Sequence, residues 1–177
     1  HIADFCLRPV GFEVRKKQGV PPAANLLSRM YDFRESMEEV LDHLVELGLS
    51  PATVIDVGVA SGTPALYTRF PHAKHLLIEP LQEFEQSMQT ICSRYDADYV
   101  LAAAGAAPGE MEIGISADLQ GSSLLRSKGD KRNIPVVTLD GICSERRLSA
   151  PYVVKVDVQG AELQVLAGAV STLQDAE

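Results

Sequence analysis

Two stretches carry residue types that could hold a small ligand and act on it. The first is Asp56-Val57-Gly58-Val59-Ala60-Ser61-Gly62, followed 21 residues after Gly58 by Glu79 in Leu77-Ile78-Glu79-Pro80. Glycines in such a loop let the backbone bend sharply and let a ligand lie against it. A carboxylate at the end of a neighbouring strand can accept hydrogen bonds from two vicinal hydroxyls. The second stretch is Val154-Lys155-Val156-Asp157-Val158-Gln159-Gly160-Ala161-Glu162. Lys155 and Asp157 fall on one strand face by the period of two, and both interrupt a run that otherwise asks to be buried. They read either as an ion pair with each other or as the lining of a ligand pocket. Asp157 sits nearer the strand's end and is the better placed of the two for acid–base chemistry. Glu162 falls in the first turn of the following helix, where a carboxylate favours the helix dipole.

The elements that must position these residues alternate between the two hydrophobic periods. Met30, Phe33, Met37, Val40, Leu41, Leu44 and Leu47 recur at three and four, which predicts a helix over 26–47 with one buried face, stopped by Gly48. Thr53–Val57 is β-branched and continuously apolar apart from Asp56, a strand buried on both faces. A short helix over 60–70, a strand at His75–Glu79, a helix carrying Leu81, Phe84, Met88, Ile91 and Tyr95, and a strand at Tyr99–Ala102 follow. Between 109 and 140 the pattern changes to two short strand-like runs, Glu112–Ile115 and Val136–Leu139, around a polar stretch, which reads as an insertion with a loop. Tyr152–Val158 is a further strand, and Leu163, Leu166, Val170 and Leu173 share the face of one helix over 161–173. Such alternation builds a parallel sheet with helices on both faces, an α/β fold. Residues 1–25, rich in Pro and Gly, read as an arm before a domain over 26–177.

In open α/β sheets a ligand sits outside the carboxyl ends of the strands, at the first strand-to-helix turn. The dinucleotide fingerprint G-x-G-x-x-G, started at Gly58, meets Ala60 and Thr63 at its second and third glycine positions, which argues against NAD(P) and an oxidoreductase. What remains, D-x-G-x-x-x-G, suits a ligand without a pyrophosphate, and S-adenosyl-L-methionine is such a ligand. The plainer alternative is a simple turn at Gly58 and Gly62 with a solvated acid at Glu79.

Composition narrows the classes further. Sixteen Lys and Arg against 24 Asp and Glu give a net charge of −8, which opposes binding to nucleic acid or to anionic membranes. No apolar run reaches the roughly 18–20 residues of a membrane span. Three cysteines without ligand spacing suggest neither a disulfide framework nor a metal site, and a reducing cytoplasm fits them best. His43 reads as a packing or surface residue, and His72 and His75 flank the turn before the second strand, on the edge opposite the expected site. Ser122 and Ser123 read as a turn, with contact to a ligand as the alternative, and the basic residues Arg126, Lys128, Lys131 and Arg132 as a solvated loop, with contact to an anionic substrate as the alternative.

The segments IDVGVASG, LLIEP, GSSLL at 121–125, VVTLD at 136–140 and VVKVDVQGAELQVLAGA at 153–169 resemble the FkbM-like methyltransferase family in order and spacing. The resemblance implies a class I, Rossmann-like methyltransferase sheet and transfer of a methyl group from S-adenosyl-L-methionine to an oxygen of a sugar, polyketide or similar small metabolite. It implies that Asp56, Gly58, Ala60 and Gly62 line the methionine and ribose side of the cofactor. Glu79 would hold the ribose hydroxyls, and Ala102 and Ala103 would lie near the adenine. Asp157 would stand near the reacting end as the base, tuned by Lys155, with Glu162 supporting its loop. The family commonly shows DVGANIG where this chain has Val59, Ala60 and Ser61, so an amide donor and acceptor is missing at Ala60. Its sheet has seven strands, of which the C-terminal ones are expected to lie outside this chain. A non-catalytic protein retaining the fold is the alternative from another class.

Overall fold

A computed structural model describes residues 36–115 and 130–176. The chain divides into two units, His1–Glu35 and Ser36–Glu177, and the second is the one described. The arm expected over 1–25, the first part of the helix expected from residue 26, the GSSLL segment and Arg126 and Lys128 lie outside the described residues.

Helix α1 (Met37–Glu46) opens at Ser36, whose hydroxyl accepts the Glu39 amide at 3.2 Å, and ends at Gly48 with φ +97°. Then come β1 (Thr53–Val57), α2 (Pro64–Arg69), β2 (Lys74–Ile78), a 3-10 turn (Gln82–Phe84) running into α3 (Glu85–Cys92), and β3 (Ala97–Val100). The short β4 (Ala103–Ala104), β5 (Gly109–Ile115) and β6 (Asp130–Val137) precede α4 (Leu139–Glu145), β7 (Tyr152–Val156), α5 (Glu162–Ala167) and α6 (Val170–Gln174).

Four strands form a parallel sheet in the order β3-β2-β1-β7. In register, Val57 of β1 stands beside Ile78 of β2 and Val156 of β7, so the three strands end together. Strand order reverses between β1 and β7, which opens a crevice where the loops diverge. Strand alternation separates the core into two layers. On one face Val54 and Leu77 pack with Leu41 of α1, Leu66 and Tyr67 of α2 and Met88 and Ile91 of α3. On the other, Ile55, Val57, Leu76 and Ile78 pack with Ile142 of α4 and Val165 of α5. Each such fully buried aliphatic side chain contributes about 1.5–3 kcal/mol of transfer free energy. The fold is therefore the Rossmann-like α/β sheet, helices on both faces, that the alternation of periods predicts.

Several local expectations are corrected. The face of α1 is not buried as a whole: only Leu41 reaches the core, while Met37, Val40, Leu44 and Leu47 are exposed. The 109–140 stretch forms a second sheet, β4-β6-β5, in which β5 and β6 pair antiparallel over 109–115 and 130–136. Leu139 leaves the strand and starts α4, which the sequence reading overlooked. Its signal was Thr138, whose hydroxyl caps the Gly141 amide at 3.1 Å, followed by Leu139, Ile142 and Cys143 on one face. The helix expected over 161–173 is two, because Gly168 ends α5 where a side chain would stand 2.0 Å from the Gly105 carbonyl oxygen. Among the described residues no helix is long and apolar enough to cross a membrane, and Cys92 and Cys143 are free.

Candidate functional site

The carboxyl ends of β1, β2 and β7 open into a cavity of about 370 Å³, within the usual size of small-molecule sites. Its wall is built by the β1 loop (58–63), Glu79 to Leu81 after β2, Ala102 to Ala104, and Lys155 with Asp157 to Gln159 at the end of β7. The second sheet supplies an apolar side, Ile113 and Ile134, which pack with Leu81 and Phe84. The cavity thus joins a polar rim at β1 and β7 to a greasy flank at β5 and β6.

In the β1 loop four amide groups are engaged by the protein itself. Gly58 N–H donates to Ile78 O at 2.9 Å, and Gly62 N–H donates to Val59 O at 2.7 Å. Ala60 N–H donates to Glu79 Oε2 at 2.9 Å, and Thr63 N–H donates to the Tyr67 hydroxyl at 2.9 Å. These bonds leave fewer loop amides to receive a pyrophosphate, which needs them free. The bend itself is left-handed, with φ +77° at Gly58 and +46° at Ala60, the latter uncommon for a residue with a side chain. The space left by Gly58 is filled by protein: a Cβ there would stand 1.9 Å from the Asp157 carbonyl oxygen. Gly58 therefore lets the β1 and β7 loops approach each other, and its bare edge is not reserved for a ligand.

Glu79 is 5% exposed on the cavity wall. Its Oε2 takes the Ala60 amide and its Oε1 the Leu81 amide at 3.0 Å, so the carboxylate ties the loop after β1 to the turn after β2. Burial pushes its pKa above the ordinary carboxylate value, against the pull of those two amides and of Lys155. An ionised carboxylate offers about four acceptor directions. Two remain after the backbone bonds, the number that two vicinal hydroxyls require.

Asp56 does not line the cavity. Strand alternation turns it toward the α2 and α3 face, where it is fully buried. Its Oδ2 accepts the Tyr67 hydroxyl at 2.6 Å, and its Oδ1 forms an ion pair with Lys155 Nζ at 3.0 Å, off the angle of a hydrogen bond. Lys155 also donates to Gly58 O at 2.8 Å. The ion pair suggested between Lys155 and Asp157 is thus replaced by one between Lys155 and Asp56. The reason is register: Lys155 lies directly beside Asp56 in the sheet, whereas Asp157 has already left the strand.

Asp157 is exposed on the cavity wall, its amide bonded to Val57 O at 3.0 Å. The Gln159 carboxamide donates to Asp157 Oδ1 at 3.4 Å, and Gln159 holds φ +55°. Ala102 and Ala103 line the cavity as well. Glu162 does not: its Oε1 accepts the Gly160 amide at 3.0 Å, which lowers its pKa and braces the loop. Lys131 and Arg132 pair with Glu112 and Glu83. His75 lies within β2, fully buried, its Nε2 bonded to Phe70 O at 3.0 Å and its ring 5.4 Å from that of Tyr67. No metal-binding cluster occurs among the described residues. Sequence reasoning missed Tyr67, Phe84, Ile113, Ile134 and Gln159. Apolar residues on a separate sheet carry no mark of facing a ligand, and Tyr67, four residues after Thr63, reads simply as helix core.

Three comparisons bear on this geometry. No curated protein matches the chain. A solved structure, the methyltransferase FkbM from Methylobacillus flagellatus KT, matches with a TM-score of 0.50 and 21% identity over 70% of this chain and 30% of that one, a likeness of fold. This chain accordingly spans less than a third of that protein's length. The model of the methyltransferase FkbM domain matches residues 56–176, from the acid of β1 to the end of α6. With more than half of its length so matched, the chain belongs to the FkbM methyltransferase domain family.

Proposed function

We propose that this domain binds S-adenosyl-L-methionine in the cavity at the ends of β1, β2 and β7 and passes its methyl group to a hydroxyl oxygen of a small molecule. The carrying observation is Glu79: buried, held by two loop amides and with acceptor capacity left at the cavity wall. The cofactor supplies an electrophilic sulfonium methyl. Glu79 would accept hydrogen bonds from the two ribose hydroxyls. Leu81, Phe84, Ile113 and Ile134 shelter the base from water, a suitable flank for a flat aromatic group. Asp157, exposed on the wall beside Gln159, takes the proton that the acceptor hydroxyl must lose. A cavity that aligned the acceptor oxygen with the methyl group would gain several kcal/mol from that positioning. Lys155, on the same wall, is held by its ion pair with Asp56 and its bond to Gly58 O.

Calorimetry with S-adenosylhomocysteine and a methyl-transfer assay against small hydroxylic acceptors test this reading. Micromolar binding, no response to NAD, and turnover reduced about 10²–10⁴-fold in Asp157→Asn with binding retained are expected. Absence of S-adenosylhomocysteine binding would favour the non-catalytic alternative, and full turnover in Asp157→Asn would remove Asp157 from its role.

A further inference from the structure

The β1 loop is tied down at three points, and two of the ties meet on one buried side chain. Lys155 holds Gly58 O at the near end of the loop, and Glu79 holds the Ala60 amide at its middle. At the far end the Tyr67 hydroxyl accepts the Thr63 amide at 2.9 Å and donates to Asp56 Oδ2 at 2.6 Å. Asp56, itself fully buried, thereby anchors both ends, one through Lys155 and one through Tyr67. Thr63 opens α2 and makes no capping bond with its own hydroxyl, while Tyr67, one turn further on, takes the amide of Thr63 itself. Tyr67 is 3% exposed and is not part of the cavity wall.

We infer that Tyr67 is a positioning residue: bonded to Asp56, it holds the far end of the β1 loop in its ligand-ready shape and so sets affinity for the adenosyl ligand and leaves turnover alone. The inference rests on the proposed binding of that ligand in the cavity. A loop that must be ordered on binding charges its ordering entropy to affinity, whereas a loop already tethered does not. The ring of Tyr67 packs against His75 and Tyr95 at 5.4 and 5.7 Å, contacts that a phenylalanine keeps.

The test compares Tyr67→Phe with the unaltered chain by S-adenosylhomocysteine calorimetry, steady-state kinetics and residue-resolved amide hydrogen exchange. The dissociation constant and the KM for S-adenosylmethionine should rise on the order of tenfold, with kcat within about twofold. Exchange at Thr63 should quicken while β1 and β2 amides keep their protection. An unchanged dissociation constant, or uniform loss of protection across the sheet, overturns the inference. If the unaltered chain itself binds no S-adenosylhomocysteine, the proposed function falls, and exchange at Thr63 still decides whether Tyr67 holds the loop. Should Tyr67→Phe not fold, exchange in the unaltered chain decides alone: a Thr63 amide exchanging at the free-loop rate overturns the tether.

Discussion

Replacing Gly58 by alanine puts a methyl group where the loops after β1 and β7 meet. Two costs add. At φ +77° an alanine pays about 1–2 kcal/mol for the left-handed backbone. Its Cβ would also stand 1.9 Å from the Asp157 carbonyl oxygen, where ordinary contact begins near 3.4 Å, and the obstacle is backbone that cannot rotate away. The loops must separate by more than an ångström, which breaks the Asp157 N–H to Val57 O bond at 3.0 Å and strands its partners, about 1–3 kcal/mol. The total is about 4 kcal/mol, a large share of the 5–15 kcal/mol that holds most domains folded. Gly48 is the matched control, since at φ +97° it has nothing within 4 Å of its Cβ position, so Gly48→Ala should cost about 1 kcal/mol. For a domain of this size the melting temperatures should fall by about 12 °C for Gly58→Ala and about 3 °C for Gly48→Ala. Thermal unfolding of both variants, followed by circular dichroism, measures the difference. Equal shifts would refute the reasoning, because they would mean that the backbone angle alone matters and that the close approach of the two loops imposes nothing. Gly58→Ala should also weaken S-adenosylhomocysteine binding, since Asp157 and the β1 loop would no longer face each other at the same separation.

Acid–base behaviour offers two further tests with opposite signs. Burial raises the pKa of Glu79, so as pH falls it protonates before an ordinary carboxylate and loses an acceptor. S-adenosylhomocysteine affinity should therefore drop on the acid side at a pH above the ordinary glutamate value of about 4.3, and Glu79→Gln should be weak and flat in the same titration. Asp140 shows the reverse. Burial alone would raise its pKa, but the Thr172 and Ser171 amides and the Thr172 hydroxyl together hold it below the ordinary value. Its depressed folded pKa gives stability that is full above the unfolded value of about 3.9 and lost as pH falls through the folded one. Asp140→Ala, which removes this cap from α6, should cost about 1 kcal/mol in urea unfolding at pH 7, with the gap to the unaltered chain closing as pH falls below the unfolded value of about 3.9.

Short-range pattern reached far into this molecule, and its failures have a common cause. The runs Thr53–Val57 and His75–Ile78 announced β1 and β2 because a strand covered on both faces has little room for polar residues. Asp157 was legible for the complementary reason, since a charge in an apolar run needs a partner or an opening, and Glu79 by its place at the end of the next strand, 21 residues after Gly58. The partner of Lys155 was not legible, since Asp56 is 99 positions away in sequence and becomes its neighbour only through the parallel pairing of β1 and β7. Gly168 escaped notice because the Gly105 carbonyl that excludes a side chain there comes from another element. The exposed face of α1 was misjudged because the three-to-four spacing states which residues share a stripe and leaves open what covers it.

The amino-acid sequence by itself determined the alternation of strands and helices, the sharp bend at Gly58, the acid at the end of β2 and the family whose segments these resemble. Those properties depend on steric and hydrophobic preferences acting over a few neighbouring residues. Only the tertiary structure decided that Asp56 would anchor the β1 loop through Tyr67 and Lys155, that Gly58 would make room for the β7 loop, and that Ile113 and Ile134 of a second sheet would close the cavity. These depend on which strands pair and in what register, and register is settled by the packing of the whole sheet between its two helical layers.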